Sequence, residues 1–181
     1  MPIEVKNNLI KLAISGTSGT LIASNLNGEP LGKAITYDQA CNGNKILIES
    51  LTSGEDHLQT PYSSIAKALK LIDKYGTNIL LRHQSDWITG WFLKNWTHGE
   101  EGNNIKLGWD LIKESWPESF LNASWQKCLP HIIKSGEIMG QVHADLAESF
   151  KLNKKLILIS GTTDSNAGLI AAGLGKEDGL T

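Results

Sequence analysis

Two small polar stretches hold most of the side chains able to do chemistry. One is Ser160-Gly161-Thr162-Thr163-Asp164, which follows the apolar run 156–159 and precedes an Ala- and Leu-rich segment closed by Gly173. The run reads as a buried strand, the Ser-Gly-Thr-Thr stretch as a tight polar turn and the following segment as a helix. Asp164 then stands at the carboxyl end of a strand, where ligands bind in open α/β sheets. Asp is also a favoured helix N-cap, and the local sequence leaves both readings open. The other stretch is Gly16-Thr17-Ser18-Gly19, between the apolar segments 9–15 and 20–24. Its small residues suit a tight connection between strands or a backbone cradle for phosphate. The Lys of a Walker loop is missing, and no G-x-G-x-x-G follows a strand. Two turns bearing hydroxyls and one carboxylate would suit a polyhydroxylated ligand.

Other chemistries find little support. The five histidines, at 57, 83, 98, 131 and 143, show no metal-ligand spacing, so no metal site is expected. The two cysteines, Cys41 and Cys128, form neither a C-x-x-C pair nor a disulfide framework. Six tryptophans invite sugar stacking, but Trp87 and Trp91 share a helical face, which more often means core. The chain has 181 residues, 40% hydrophobic and 20% charged, with a net charge of −2 and no long run of one sign. That is a globular composition with no nucleic-acid footprint or basic membrane-binding face. No apolar run approaches the ~20 residues of a membrane span, and no signal peptide opens the sequence. A cytoplasmic protein is expected.

The elements that must position these residues follow from periodicity. The segments 9–15 and 20–24, with a second turn at Asn25-Leu26-Asn27-Gly28-Glu29-Pro30, read as a β-meander, with one more extended piece at 34–38. Residues 63–75 read as a helix with Ile65, Ala66, Leu69 and Ile72 inside, Lys67, Lys70 and Lys74 outside, and Gly76 as its stop. A buried strand at 79–81 precedes a Trp-rich helix beginning at Asp86. Residues 95–130 are loop-rich, with short helices at 109–113 and 119–123; 135–137 form a turn and 144–150 a helix. The simplest arrangement is α/β, a mixed sheet flanked by helices in one domain.

Several ordered blocks together resemble the amino-terminal domain of the FGGY carbohydrate kinases, above all its pentulose branch, the xylulokinase-like and D-ribulose kinases. Ile14-Ser15-Gly16-Thr17-Ser18-Gly19-Thr20, Asn27-Gly28-Glu29-Pro30-Leu31 and Tyr37-Asp38-Gln39-Ala40 resemble the sugar-side hairpin and the segment after it. Ser63-Ser64-Ile65-Ala66-Lys67 resembles the next helix, Gln84-Ser85-Asp86-Trp87-Ile88 the q-a-D-w-i block, and Asn104-Ile105-Lys106-Leu107-Gly108-Trp109 the loop that follows. Gly161-Thr162-Thr163-Asp164-Ser165 is similar to the family's G-T-x-D motif.

The resemblance, spanning residues 9–181, implies an actin-like, ribonuclease H-like ATPase fold and ATP-dependent phosphorylation of a ketopentose such as D-ribulose or D-xylulose. It implies that Asp164 is the catalytic base. Ser18 lies where family members place a sugar-contacting side chain, with Thr17 beside it, and Thr163, in the same motif as the base, is a further candidate for binding the substrate. Asp38 either contributes to the sugar pocket or supports it. ATP and Mg²⁺ are the cofactors of the intact enzyme. Neither is expected to be held by this chain alone, because no phosphate-loop Asp is recognised in it and the family's ATP-binding domain would follow Gly179-Leu180-Thr181. On this reading residues 1–181 are a partial amino-terminal domain, truncated at both ends, with an exposed sheet edge. Its partners would be a small sugar and either a second copy or the missing half. The rival expectation is a catalytically inactive sugar-binding or interaction remnant.

Overall fold

The computed structural model describes residues 2–173, so the closing stretch 179–181 lies outside the described residues. The chain runs through α1 (Ile3–Asn8), β1 (Lys11–Gly16), β2 (Leu21–Ser24), α2 (Lys45–Leu51), α3 (Ser64–Tyr75), β3 (Leu80–His83), α4 (Gln84–Leu93) and β4 (His98–Glu100). It continues through α5 (Glu101–Asn104), α6 (Glu118–Leu121), β5 (His131–Ile133), β6 (Ile138–Gln141), α7 (Ala144–Phe150), β7 (Ile157–Thr163) and α8 (Asp164–Ala171).

The sheet that matters for chemistry is mixed. β7 lies between β1, to which it is parallel, and β6, to which it is antiparallel. Apolar side chains of β7, α4 and α7 close over one face, where Leu156, Leu158, Val142, Leu146 and Ala147 are buried against Leu12, Trp91, Phe92 and Leu93. The second sheet pairs β2 with β3 antiparallel, and the third pairs β4 with β5 parallel. α3 covers the second sheet, burying Ile65, Ala66, Ala68 and Leu69 against Leu21, Ala23 and Leu81. α3 stops where expected, Gly76 leaving the helix at φ 76°, and its start is capped by Ser63, whose hydroxyl accepts from the Ala66 N–H.

Three expectations change. The opening is not a meander through all its strands, because β1 and β2 belong to different sheets. β1 alternates exposed and half-buried residues, as an outer strand does, whereas β2 is almost wholly buried. Their partners are chosen by those environments rather than by sequence proximity. The second half of the meander is present, since Leu21 exchanges backbone hydrogen bonds with Ile35 across the 25–30 turn. Next, Ser160-Gly161-Thr162-Thr163 is no turn but the second half of β7, held by β1 up to Thr163. Last, 109–113 is not helical: Asp110 and Ser115 exchange backbone bonds, and the Asp110 carboxylate caps the N–H groups of Ile112 and Lys113.

Lys67 also departs from expectation. Lys70 and Lys74 face solvent, but Lys67 is 0% exposed. Trp87 and Trp96 serve the turn at Gly28: the Trp87 indole donates to the Gly28 carbonyl, and the Trp96 indole donates to the Trp87 carbonyl.

Candidate active site

The candidate site is set by how two parallel strands end. Gly16 is paired with Thr163 at the carboxyl ends of β1 and β7. Thr17 and Asp164, each the next residue, therefore leave adjacent strands at the same edge, and neighbouring strands lie about 4.8 Å apart. Beyond that edge the two chains part, β1 leading into the 17–20 turn and β7 into α8. In open α/β sheets such strand ends are where ligands bind.

A bulge adjusts the approach. The register moves from Ala13–Ile159 to Ser15–Thr162, so β7 carries one more residue than β1. Gly161 occupies the bulge, where a Cβ would stand 2.0 Å from the Ile14 carbonyl oxygen. Only glycine lets the two backbones come this close.

Thr163 is buried and caps α8, its hydroxyl accepting from the Asn166 N–H at 3.2 Å. The cap is thus Thr163, and Asp164 is the first helical residue. Asp164 is exposed; its Oδ1 accepts from the Ser165 N–H at 2.8 Å and from the Ser165 hydroxyl at 3.4 Å. Thr17 and Ser18 are half-buried in a turn that Gly19 completes at φ 89°.

Asp38 is exposed and accepts from the Thr36 hydroxyl at 2.5 Å, a bond that holds its carboxyl below the usual carboxylate range. Its neighbour Tyr37 lies against the turn: a Cβ on Gly19 would lie 3.7 Å from the Tyr37 Cβ. The same Cβ would lie 3.7 Å from Lys106 Nζ. The structure therefore brings the Thr17–Ser18 turn beside Asp164 through the strand pairing, and it brings Tyr37, the neighbour of Asp38, against Gly19. Lys106 joins the Gly19 side without having been singled out by the sequence.

Behind the strand ends is a buried polar layer. Gly16 packs on Ser85, whose hydroxyl accepts from the Asn103 amide at 3.1 Å. Glu100 caps the N–H groups of Gly102 and Asn103. Asp86 accepts from the Glu100 N–H at 2.9 Å and from the Asn104 amide at 3.0 Å. Burial, helped by the Glu100 charge, raises Asp86 to about 7, and burial likewise raises Glu100. His83 bonds the Ser64 hydroxyl at 2.9 Å, and burial drives it down to about 3. It is neutral at pH 7, so its 3.8 Å approach to Asp86 is no ion pair. Arg82 supplies the cation of the layer; burial lowers it to about 10, and it donates to the carbonyls of Leu81 and Cys128. Of the polar side chains of this layer, Ser64, Ser85, Asp86 and Asn104 fell within the blocks of resemblance, whereas Arg82, His83, Glu100 and Asn103 did not; polar side chains give no local sign of burial.

A concavity of about 830 Å³ lined by Leu58, Ile105, Trp109, Trp116 and Leu121 includes none of Thr17, Ser18, Asp38 or Asp164. The site is defined by convergent strand ends, not by that hollow. No helix among the described residues is long and apolar enough to cross a membrane.

No family model matches the sequence. Solved structures do resemble the fold. The xylulose kinase from Rhodospirillum rubrum superposes with a TM-score of 0.77 and 19% identity, over 92% of this chain and 37% of that one. The glycerol kinase from Plasmodium falciparum, determined with ADP, gives 0.74 and 18%, over 91% and 36%. A carbohydrate kinase from Novosphingobium aromaticivorans gives 0.70 and 15%, over 94% and 40%. The chain spans two fifths or less of the length of each. It has the mixed-sheet, helix-flanked architecture of sugar kinases of the actin-like ATPase fold.

Proposed function

We propose that this chain forms the sugar-side part of a carbohydrate kinase that transfers a phosphoryl group from ATP to a hydroxyl of a ketopentose such as D-ribulose or D-xylulose. The observation that carries the reading is the Gly16–Thr163 pairing, which sets Asp164 beside the Thr17–Ser18 turn. A carboxylate that is exposed and anchored through one oxygen can accept the proton of a sugar hydroxyl as that oxygen bonds to phosphorus. The bond from phosphorus to the ADP oxygen breaks in the same transfer. Thr17 and Ser18 offer hydroxyls that both donate and accept, matching the hydroxyls of a sugar. Thr163 contributes by capping α8 and so aiming Asp164, and Asp38 by its place beside the turn.

The names of the neighbours, xylulose, glycerol and gluconate kinases, support a polyol as acceptor. The resemblance of the 14–20 block to pentulose kinases supports the ketopentose. ATP, bringing Mg²⁺, supplies the phosphoryl group; no residue described here is assigned to hold it. β1 is the outer strand of its sheet among the described residues, and its open edge suits pairing with the ATP-binding remainder or with a second copy.

Isothermal titration of the chain with D-ribulose and D-xylulose, then with Mg-ATP, tests the reading. One sugar should bind, and Asp164→Ala should weaken it about tenfold or more, the worth of a hydrogen bond to a charged group. A folded chain giving no heat with either sugar overturns the sugar-side assignment. Unchanged affinity in Asp164→Ala removes Asp164 from the site. Where the ATP-binding part is also supplied, Asp164→Asn should lower kcat by about 10²–10⁴, and near-normal turnover would end its assignment as base.

A further inference from the structure

α3 carries one charged side chain on its core face. Lys67 is fully buried among Ile65, Ala66, Ala68 and Leu69. Its ammonium donates to three carbonyls, those of Gly19 at 2.8 Å, Tyr62 at 2.9 Å and Tyr37 at 3.2 Å. An ammonium has three N–H donors, so all three are used. Burial lowers the pKa of the group, the nearby Cys41 and Asp38 favour its charge, and Lys106 opposes it. A helix needing only packing would place an apolar residue here at lower desolvation cost.

The three acceptors are not arbitrary. Leu21 and Ile35 exchange backbone hydrogen bonds as antiparallel partners. Continuing that register by two residues on each side would put Gly19 opposite Tyr37. Both carbonyls instead accept from Lys67. The ribbon is thus held open just where Thr17–Ser18 leave one side and Asp38 leaves the other, and Tyr62 ties the junction to the start of α3.

We propose that Lys67 is a positioning residue of the sugar site: it takes the carbonyls of Gly19 and Tyr37 onto one ammonium, fixing the Thr17–Ser18 turn and the Tyr37–Asp38 segment relative to each other. The inference rests on the sugar-side reading for its functional meaning, but its geometric content can be tested without sugar.

The experiment compares the wild-type chain with Lys67→Met, Lys67→Gln and the exposed control Lys70→Met. It measures D-ribulose and D-xylulose affinity by titration at a temperature where each variant is folded, and amide hydrogen exchange over 17–20, 36–39 and β7. Lys67→Met should weaken sugar binding about tenfold. It should also speed exchange at 17–20 and 36–39 while leaving β7 unchanged. Lys67→Gln, whose amide keeps two donors, should recover part of both effects and also serves if the Met variant does not fold. Lys70→Met should match wild type. Unchanged affinity in a folded Lys67→Met overturns the proposal. So does exchange that rises equally in β7, which marks a general loss of stability. If wild type binds neither sugar, the sugar-side reading fails. The exchange pattern then decides alone whether Lys67 fixes the two segments.

Discussion

Thr163 and Asp164 are neighbours with separate tasks. The Thr163 hydroxyl is turned inward on the Asn166 N–H, so the helix start is satisfied without the Asp164 carboxylate, which stays exposed. Thr163→Val keeps the shape and removes the cap, and should cost about 1 kcal/mol. For a chain of this size that lowers Tm by about 2–4 °C, measurable by calorimetry; an unchanged Tm would mean the cap is not formed in solution. Lys67 shows the opposite case, in which a residue type misleads. Its spacing with Lys70 and Lys74 suggests a solvated stripe, yet position 67 faces inward, where three carbonyls converge.

Among the elements, β7 decides the site. Its apolar half, Leu158 above all, anchors it in the core, while its polar half runs on beside β1 to place Thr163 and Asp164 at the sheet edge. Gly161 makes that continuation possible, and Gly161→Ala would drive a methyl group into the Ile14 carbonyl. The strands must part or shift, at a cost of about 1–3 kcal/mol. Urea unfolding should show that loss, accompanied by weaker sugar binding because the Gly16–Thr163 register is disturbed. Retained stability would show that the bulge relaxes freely. The turn at 25–30 follows the same logic: Gly28 combines φ 78° with a Trp96 ring atom 2.1 Å from any Cβ, so its replacement would meet both backbone strain and an indole.

At the scale of the whole molecule, the buried layer makes stability depend on pH in two opposing ways. Asp86 has a folded value of about 7 against an ordinary 3.8, so the folded chain keeps a proton that the unfolded chain releases. Its contribution is therefore complete below about 3.8 and lost as pH rises through 7. His83, at about 3 against 6.5, refuses a proton that the unfolded chain binds, so it adds stability as pH rises across that interval. Asp86→Asn removes one of the two carboxyls that oppose the His83 trend, leaving Glu100, which burial also raises. Stability of the variant should climb more steeply than wild type between pH 4 and 6.5, read by urea denaturation at unit steps. Parallel curves would show that Asp86 ionises normally in the fold.

Elements whose signals are local could be read from the amino-acid order. The Gly76 stop of α3, the helix at Ala144–Phe150 and the strand-to-helix handover at Asp164 all depend on residues within a few positions of one another. The resemblance likewise put Thr17, Ser18 and Asp164 into one expected site. Partnership between remote segments emerged with the folded chain. β1 pairs with β7 from the far end of the chain rather than with β2, the polar Ser160–Thr163 stretch is a strand because β1 holds it, and Lys67 is interior because Gly19, Tyr37 and Tyr62 meet there. The reason is physical: turns and caps are satisfied by neighbouring backbone, whereas a strand's hydrogen bonds and a buried ammonium's acceptors come from residues remote in sequence, which local pattern does not encode.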